Sequence, residues 1–378
     1  MAYFDNNACV PMTDAILKQY SLGAKLGNIS NESSSAAMGQ FHKAHLTKNL
    51  ATMFPGMRII YTSGGTESNA TALHQYLGGH IVCPMSEHSS IIAKVRNENV
   101  SWIRPQPTGH IKVDEILAAT QNNTKVIILQ SINSETGAIQ DLINLVTRNQ
   151  NKIPIHCDHV QGFMKLPEIT SFVNYCLRMG QKLSMSISFH KIGGPIGFGA
   201  LITNMNIPPL ISGSQNDGLR GGTYNIAAIY ASIQAMKDYS YDRIRSLRAL
   251  FDSELNKKFV VLHYNQLEKM ISSGAKLSSS GYIVIFGCEE CLPHTIFMVV
   301  GRDNEIICNK VIRDGLAAKG ITVGFGSACN TGKEETLGSM RSANIQEALK
   351  NGFIRISLSC YNSPNEIKKL IKVLHTLI

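Results

Sequence analysis

Between Arg58 and Thr203 short apolar runs alternate with stretches of helical spacing. The runs are Ile59-Tyr61, Ile81-Cys83, Ser101-Arg104, Val126-Gln130, Ile153-Asp158, Leu183-Phe189 and Phe198-Thr203. Strand-length runs separated by helix-length segments predict an α/β layer built on a largely parallel sheet. Leu183-Ser184-Met185-Ser186-Ile187-Ser188-Phe189 alternates apolar and polar with period two, which predicts a strand whose two faces see different surroundings. Before this layer, a helix is expected from Thr13 to about Leu26, and Gly27 to Gly39, rich in Ser, Asn and Ala, reads as a loop.

After Thr223 the pattern changes. A helical stretch from Ile226 to Phe259, broken near Tyr239, leads to strand-like Tyr282-Phe286 and Thr295-Val300 and a helix near Asn309 to Lys319. Ser363-Pro364-Asn365-Glu366 is a capping box with proline at the first helical position. Ile367, Leu370, Ile371, Leu374 and Leu377 then form an apolar stripe. The expected division is a large α/β domain over 12–235 and a smaller α+β domain over 1–11 and 236–378. The small-residue stretch at about 324–340 is expected to be mobile.

Composition narrows the class. At 378 residues, with 44% apolar and 17% charged, the chain is long enough for two cores and is not of disordered type. The Met1-Ala2-Tyr3-Phe4-Asp5 start has no secretory pattern, and the apolar segment Tyr282 to Val300 is interrupted by Glu289, Glu290, Pro293 and His294. A cytoplasmic protein without a membrane span is the expectation. The net charge of +9 comes from lysines and arginines standing singly or in pairs, so nucleic-acid binding is not expected. Nine cysteines without regular spacing argue for a reducing compartment, and Cys288-Glu289-Glu290-Cys291 alone does not make a metal site.

Candidate chemistry gathers at strand ends. Lys191 follows the 183–189 strand and precedes Gly193, Gly194 and Gly197. Asp158 ends another strand with Gln161 three residues on, and Ser63-Gly64-Gly65-Thr66-Glu67-Ser68-Asn69 follows a third strand and opens a helix. A lysine amine, a carboxylate and a small-residue helix N-terminus are the parts needed to hold pyridoxal 5'-phosphate: Schiff base, pyridine-nitrogen partner and phosphate cradle. Ligands of such a sheet lie beyond the carboxyl ends of its strands.

The ordered set Asp5-Asn6-Asn7-Ala8, Thr62 to Asn69, Glu87-His88, Asn133-Ser134-Glu135-Thr136-Gly137, Asp158 with Gln161, Ser188-Phe189-His190-Lys191, Arg220-Gly221-Gly222-Thr223, Gly326-Ser327-Ala328-Cys329 and Arg355-Ile356-Ser357-Leu358 resembles the NifS-like cysteine desulfurases. These belong to the class V aminotransferase group and have the type I pyridoxal-phosphate fold. The resemblance implies a homodimer that converts L-cysteine to L-alanine, leaving persulfide sulfur on Cys329 for an acceptor protein such as an iron–sulfur scaffold or a tRNA thiolation factor. It gives Lys191 the Schiff base, His88 ring stacking and proton movement, Asp158 the pyridine nitrogen and Gln161 the ring hydroxyl. Gly65, Thr66, Ser188 and His190 receive the phosphate, joined by Thr223 from the neighbouring subunit. Arg355 takes the substrate carboxylate, with Arg220 as second candidate, and Asn133 and Ser134 lie near substrate and cofactor. A class V aminotransferase, a selenocysteine lyase, or a cofactor-binding interaction protein with little or no desulfurase activity are the alternatives.

The chain also departs from the family pattern. Ser134 stands where the second Asn of Asn-Asn-Glu is usual, His159 and Phe189 replace small residues, Ile196 stands for Lys and Cys9 for Thr. Gly27-Asn28-Ile29-Ser30 lacks the usual Pro and His, so that loop receives no catalytic role.

Overall fold

The computed structural model describes residues 1–30, 33–272, 281–287, 291–303, 305–324, 343, 349 and 351–378. Its strands are β1 (Ala2–Phe4), β2 (Arg58–Thr62), β3 (His80–Pro84), β4 (Asn99–Ile103), β5 (Thr124–Ile128), β6 (Ile155–Asp158), β7 (Leu183–Ser188), β8 (Gly199–Thr203), β9 (Val260–His263), β10 (Tyr282–Ile285), β11 (Thr295–Arg302), β12 (Glu305–Ile306), β13 (Ile321–Val323) and β14 (Ile354–Ser357). Seven of them form one sheet in the order β2-β8-β7-β6-β5-β3-β4. Only β8 runs against its neighbours, pairing antiparallel with β2 and β7. The apolar runs therefore mark a mostly parallel sheet, as their alternation with helices implies.

Strand β7 has the two unlike faces that its alternation predicts, with both of them inside the protein. All six of its residues are buried. Leu183, Met185 and Ile187 enter the main core, whereas Ser184 and Ser188 face polar partners: Ser184 Oγ lies 2.9 Å from His156 Nδ1 and Ser188 Oγ 2.8 Å from His190 Nδ1. Two of the polar positions of the alternation, Ser184 and Ser188, thus belong to a buried hydrogen-bonded layer. The strand also ends one residue early, and Phe189–Ile192 is a 3-10 turn that carries Lys191.

The second half of the expected loop 27–39, from Ser34 on, is helical. Helix α1 runs over Asp14–Gly23 and α2 over Ser34–Met53, with Ser33 accepting the Ala36 N–H as N-cap. Small residues let α2 begin there: Gly39 packs on Ile29 and Ile226, and a side chain at that position would strike Ile29. The break near Tyr239 separates two helices, Ile226–Asp238 and Tyr241–Asn256.

The remaining strands form a second sheet, β12-β11-β10-β9, with β14 pairing antiparallel to β11, and a small parallel pair β1-β13. The N-terminus is thereby tied to the C-terminal sheet, where Asp5 bridges Ser357. The closing helix, Pro364–Thr376, has the capping box that its sequence spells. Among the described residues no helix is long and apolar enough to cross a membrane, and no cluster of His, Cys, Asp or Glu is arranged to hold a metal.

Candidate active site

Five connections, after β2, β3, β5, β6 and β7, leave the carboxyl ends of the large sheet and meet at one cavity of about 270 Å3. Strand β2 passes through Ser63 and Gly64 into α3 (Gly65–His74). The turn needs Gly64 at φ +144°, a conformation that side chains disfavour, and Gly199 of β8 gives it room, since a Cβ there would lie 2.7 Å from Gly64 Cα. No side chain caps α3, so its first N–H groups are left for an anion at the cavity wall formed by Gly65 and Thr66. Glu67 and Arg220 brace the turn: Glu67 accepts the Ser63 N–H at 2.8 Å and pairs with Arg220 at 2.8 Å. Burial pushes the Glu67 carboxyl up, but Arg220 and Ser63 together hold it below its usual range.

Strand β6 delivers Asp158 to the same cavity, 8% exposed. One carboxylate oxygen accepts the Val160 N–H at 3.0 Å and the other the Asn69 amide at 2.9 Å, which fixes its plane. Gln161 donates to the Asn7 carbonyl at 3.0 Å and accepts from Lys165 Nζ at 3.2 Å. From the 3-10 turn, Lys191 Nζ donates to the carbonyls of Asn7 and Ala8, at 2.7 and 2.8 Å. Its neighbour His190 is pushed down to about 3 by burial and by the charges of Lys191 and Lys165, so it is a neutral imidazole hydrogen-bonded to Ser188.

Strand β3 leads through Glu87 to His88, the N-cap of α4 (Ser89–Val95), which lines the cavity. Glu87 is 6% exposed and accepts the Gln130 N–H; burial and the nearby Asp158 charge push its carboxyl well up. From the second sheet Arg355 of β14 reaches the cavity, 2% exposed. Its guanidinium is partly committed already, Nη2 to Asp5 at 2.8 Å and Nη1 to the Ser134 carbonyl at 3.2 Å. Its Nε–H is buried with no acceptor among the described residues.

Lys191, His88, Asp158, Gln161, Gly65, Thr66, Ser134, Ser188, His190 and Arg355 thus share one cavity. Three expected residues lie elsewhere. Asn133 is buried and accepts the N–H groups of Glu135 and Thr136, shaping its own loop. Arg220 spends its guanidinium on Glu67, and Thr223 is exposed and outside the cavity wall of this chain. Cys329 lies outside the described residues, although Gly324, just before that segment, exchanges both backbone hydrogen bonds with Arg355.

The residues given no role from sequence are Asn7, Asn69, His156 and Lys165. Asn7 and Asn69 fall within motif stretches, but nothing local says that a carbonyl would hold the lysine or an amide the aspartate. Lys165 is 2% exposed, and burial with the Lys191 charge pushes it down to about 7.

The donor set fits pyridoxal phosphate. An amine and a carboxylate face one cavity, an uncapped helix start supplies N–H groups for a dianion, and Gly65 is held Cβ-free by Val160, whose Cγ2 a Cβ would approach to 2.7 Å.

The aminotransferase class-V model matches residues 2–370. A curated relative, the putative cysteine desulfurase NifS of Bacillus subtilis, is 28% identical over 403 residues, covering 98% of this chain and 93% of its own. The mitosomal cysteine desulfurase of Trachipleistophora hominis is 27% identical over 401 residues, covering 98% and 84%. Among solved structures, a NifS-like protein from Rickettsia africae superposes with a TM-score of 0.79 at 23% identity, covering 100% of this chain and 99% of the other, a likeness of fold.

Proposed function

The chain belongs to the aminotransferase class-V family, and from that premise we infer that it is a pyridoxal-phosphate-dependent cysteine desulfurase. It converts L-cysteine to L-alanine and leaves the sulfur as a persulfide on Cys329. The observation that carries the reading is the meeting of the Lys191 amine, the Asp158 carboxylate and the uncapped start of α3 at one cavity. The names of the relatives at 27–28% identity supply the reaction.

Pyridoxal phosphate, when bound, supplies a sink for the electron pair released at the substrate Cα. Gly65, Thr66, Ser188 and His190 hold its phosphate, Asp158 its pyridine nitrogen and Gln161 its ring hydroxyl. Lys191 Nζ leaves the Asn7 and Ala8 carbonyls to serve as the attachment point, and afterwards takes the proton from Cα. Arg355 takes the substrate carboxylate through the terminal N–H groups that Nη1 and Nη2 keep beyond those given to Ser134 and Asp5. The Cys329 thiolate attacks the substrate sulfur: an S–S bond forms, the Cβ–S bond breaks, its electron pair stays on the alanine side and Cβ gains a proton. Five residues from Gly324, Cys329 is tethered within roughly 18 Å of it at full extension.

Thr223, exposed on this chain, completes the phosphate site of a second copy in a homodimer. An acceptor protein then collects the persulfide sulfur. Purified protein is assayed for alanine from L-cysteine without a keto acid, alongside Lys191→Ala and Cys329→Ser. Activity lost in both, with visible cofactor absorbance lost only in the lysine variant, supports the reading. Alanine formation that requires a keto acid assigns an aminotransferase instead, and alanine formed without one by Cys329→Ser removes the persulfide from that residue.

A further inference from the structure

A chain of buried and half-buried hydrogen bonds runs from β7 to His88, and its geometry fixes the direction of each link. Ser90 N–H donates to His88 Nδ1 at 3.2 Å, and Ser90 Oγ lies 2.8 Å from the same nitrogen. A backbone N–H has only a proton to give, so His88 Nδ1 is an acceptor and carries no hydrogen. Asn69 Nδ2 donates to Ser90 Oγ at 3.0 Å and to Asp158 Oδ2 at 2.9 Å. With its oxygen accepting from Asn69, the Ser90 hydroxyl turns its own hydrogen toward His88 Nδ1.

The Asn69 amide cannot flip to reverse this order. Its Oδ1 lies 3.0 Å from His156 Nε2, and His156 Nδ1 lies 2.9 Å from Ser184 Oγ. His156 is fully buried and pushed down to about 4, chiefly by burial, so it is neutral and carries one hydrogen. That hydrogen belongs on Nε2, facing the amide oxygen, while Ser184 donates to Nδ1. A flipped amide would set its NH2 against His156 and leave Asp158 Oδ2 facing an oxygen.

We propose that Asn69 and Ser90 are positioning residues that lock His88 in the tautomer protonated at Nε2, so that it meets the cavity as a hydrogen-bond donor. The same amide orients Asp158, so one side chain sets both the pyridine-nitrogen partner and the imidazole. In this arrangement the neutral imidazole cannot accept a proton at Nε2 without giving up two donors at Nδ1. Withdrawal of the substrate Cα proton therefore rests with Lys191 alone. This division of roles rests on the desulfurase reading, whereas the tautomer does not.

Nitrogen-15 histidine labelling with long-range proton–nitrogen correlation separates the two. The His88 signal among the twelve histidines is identified by its loss in His88→Gln. In the cofactor-free and the loaded parent, His88 is expected to show a protonated Nε2 and an unprotonated Nδ1. Ser90→Ala and Asn69→Ala keep the backbone N–H of residue 90 on Nδ1 but lose or unhook the hydroxyl donor, so they are expected to move both nitrogens part of the way toward a mixed-tautomer position, and Ser90→Thr, which keeps the hydroxyl, to restore the parent pattern. The alanine assay adds a second readout: kcat falls about tenfold in Ser90→Ala with KM for cysteine little changed, and recovers in Ser90→Thr. A parent signal with the proton on Nδ1, or Ser90→Ala and Asn69→Ala spectra like the parent's, overturns the proposal. A parent that makes no alanine but shows the Nε2–H pattern overturns the desulfurase reading and leaves the lock standing.

Discussion

Arg355 Nη2 and Asp5 Oδ1 lie 2.8 Å apart although 350 residues separate them in sequence, one on a strand of the second sheet and the other just beyond β1. The pair stitches the N-terminus to the wall of the cavity and fixes the plane of the guanidinium there. With Arg355 2% and Asp5 20% exposed, the interaction is shielded from water and salt.

Removing both partners is therefore expected to cost less than the sum of removing each. Arg355→Met leaves a carboxylate without its cation and is expected to destabilise by roughly 2–4 kcal/mol. Asp5→Asn costs roughly 1 kcal/mol, and the double variant falls short of the sum by about 1–3 kcal/mol. Urea denaturation of the four proteins measures the coupling. Additive losses would mean that the pair contributes nothing as a pair.

Lys165 gives a pH-dependent prediction for the cofactor-free protein. Its amine is pushed down to about 7 from 10.5, first by burial and then by Lys191, with Cys360 opposing. Below pH 7 the folded protein must hold a buried charge. Between pH 7 and 10.5 the unfolded chain binds the proton that the folded one has released, so this destabilisation is relieved as pH rises. Lys165→Met is expected to be more stable than the parent by roughly 2–4 kcal/mol at pH 6, after allowance for the lost bond to Gln161, and to lose that margin toward pH 10. Thermal or urea melts at both pH values decide it, and a margin independent of pH would refute a buried titrating amine.

Glu87 shifts stability in the opposite direction with pH. Its carboxyl is pushed well up by burial and then by Asp158, and one of its oxygens has no partner among the described residues. Below the ordinary glutamate range both states are protonated and nothing is lost. As pH rises, the unfolded chain releases a proton that the folded one keeps, so stability falls. Glu87→Gln, the shape of the protonated acid, is expected to gain at least about 1 kcal/mol over the parent at pH 8 and little at pH 4. The difference in urea midpoint between the two pH values is the measurement.

These two buried groups also mark where sequence reading stops. Strands β2 to β8 were legible because a strand buried in a parallel sheet must be a short apolar run between punctuating residues. Lys191, Asp158 and the Gly64-Gly65 turn were legible because they follow such runs directly. The start of α2 was not: Ser34, Ser35 and Gly39 are weak helix formers that flank Ala36, Ala37 and Met38, and the helix begins there through the Ser33 cap and the packing of Gly39 on Ile29 and Ile226. The polar positions of β7 showed that its two faces differ, but alternation alone does not name a buried partner such as His156. The link between Asn69, Asp158 and Ser90 depends on how α3 and α4 sit over the sheet, which no local pattern encodes. Cys329 remains legible from the sequence resemblance alone, since it lies outside the described residues.

The last prediction concerns the turn into α3. Gly64 stands at φ +144° and ψ −174°, a region open to glycine almost alone, while a Cβ added there would meet only Ser188 Oγ, at an ordinary 3.7 Å. The cost of Gly64→Ala is therefore in the backbone, about 1–3 kcal/mol, and relief requires rotating the turn that aims the first N–H groups of α3 at the cavity. If those groups hold the cofactor phosphate, the dissociation constant for pyridoxal phosphate is expected to rise at least tenfold, read from the visible spectrum on titration. Gly78→Ala serves as the control, because Gly78 also has a positive φ, +79°, with nothing within 4 Å of its added Cβ, and lies outside the cavity wall. It is expected to lose comparable stability and bind the cofactor as the parent does. Equal binding by Gly64→Ala and the parent would move the phosphate away from α3.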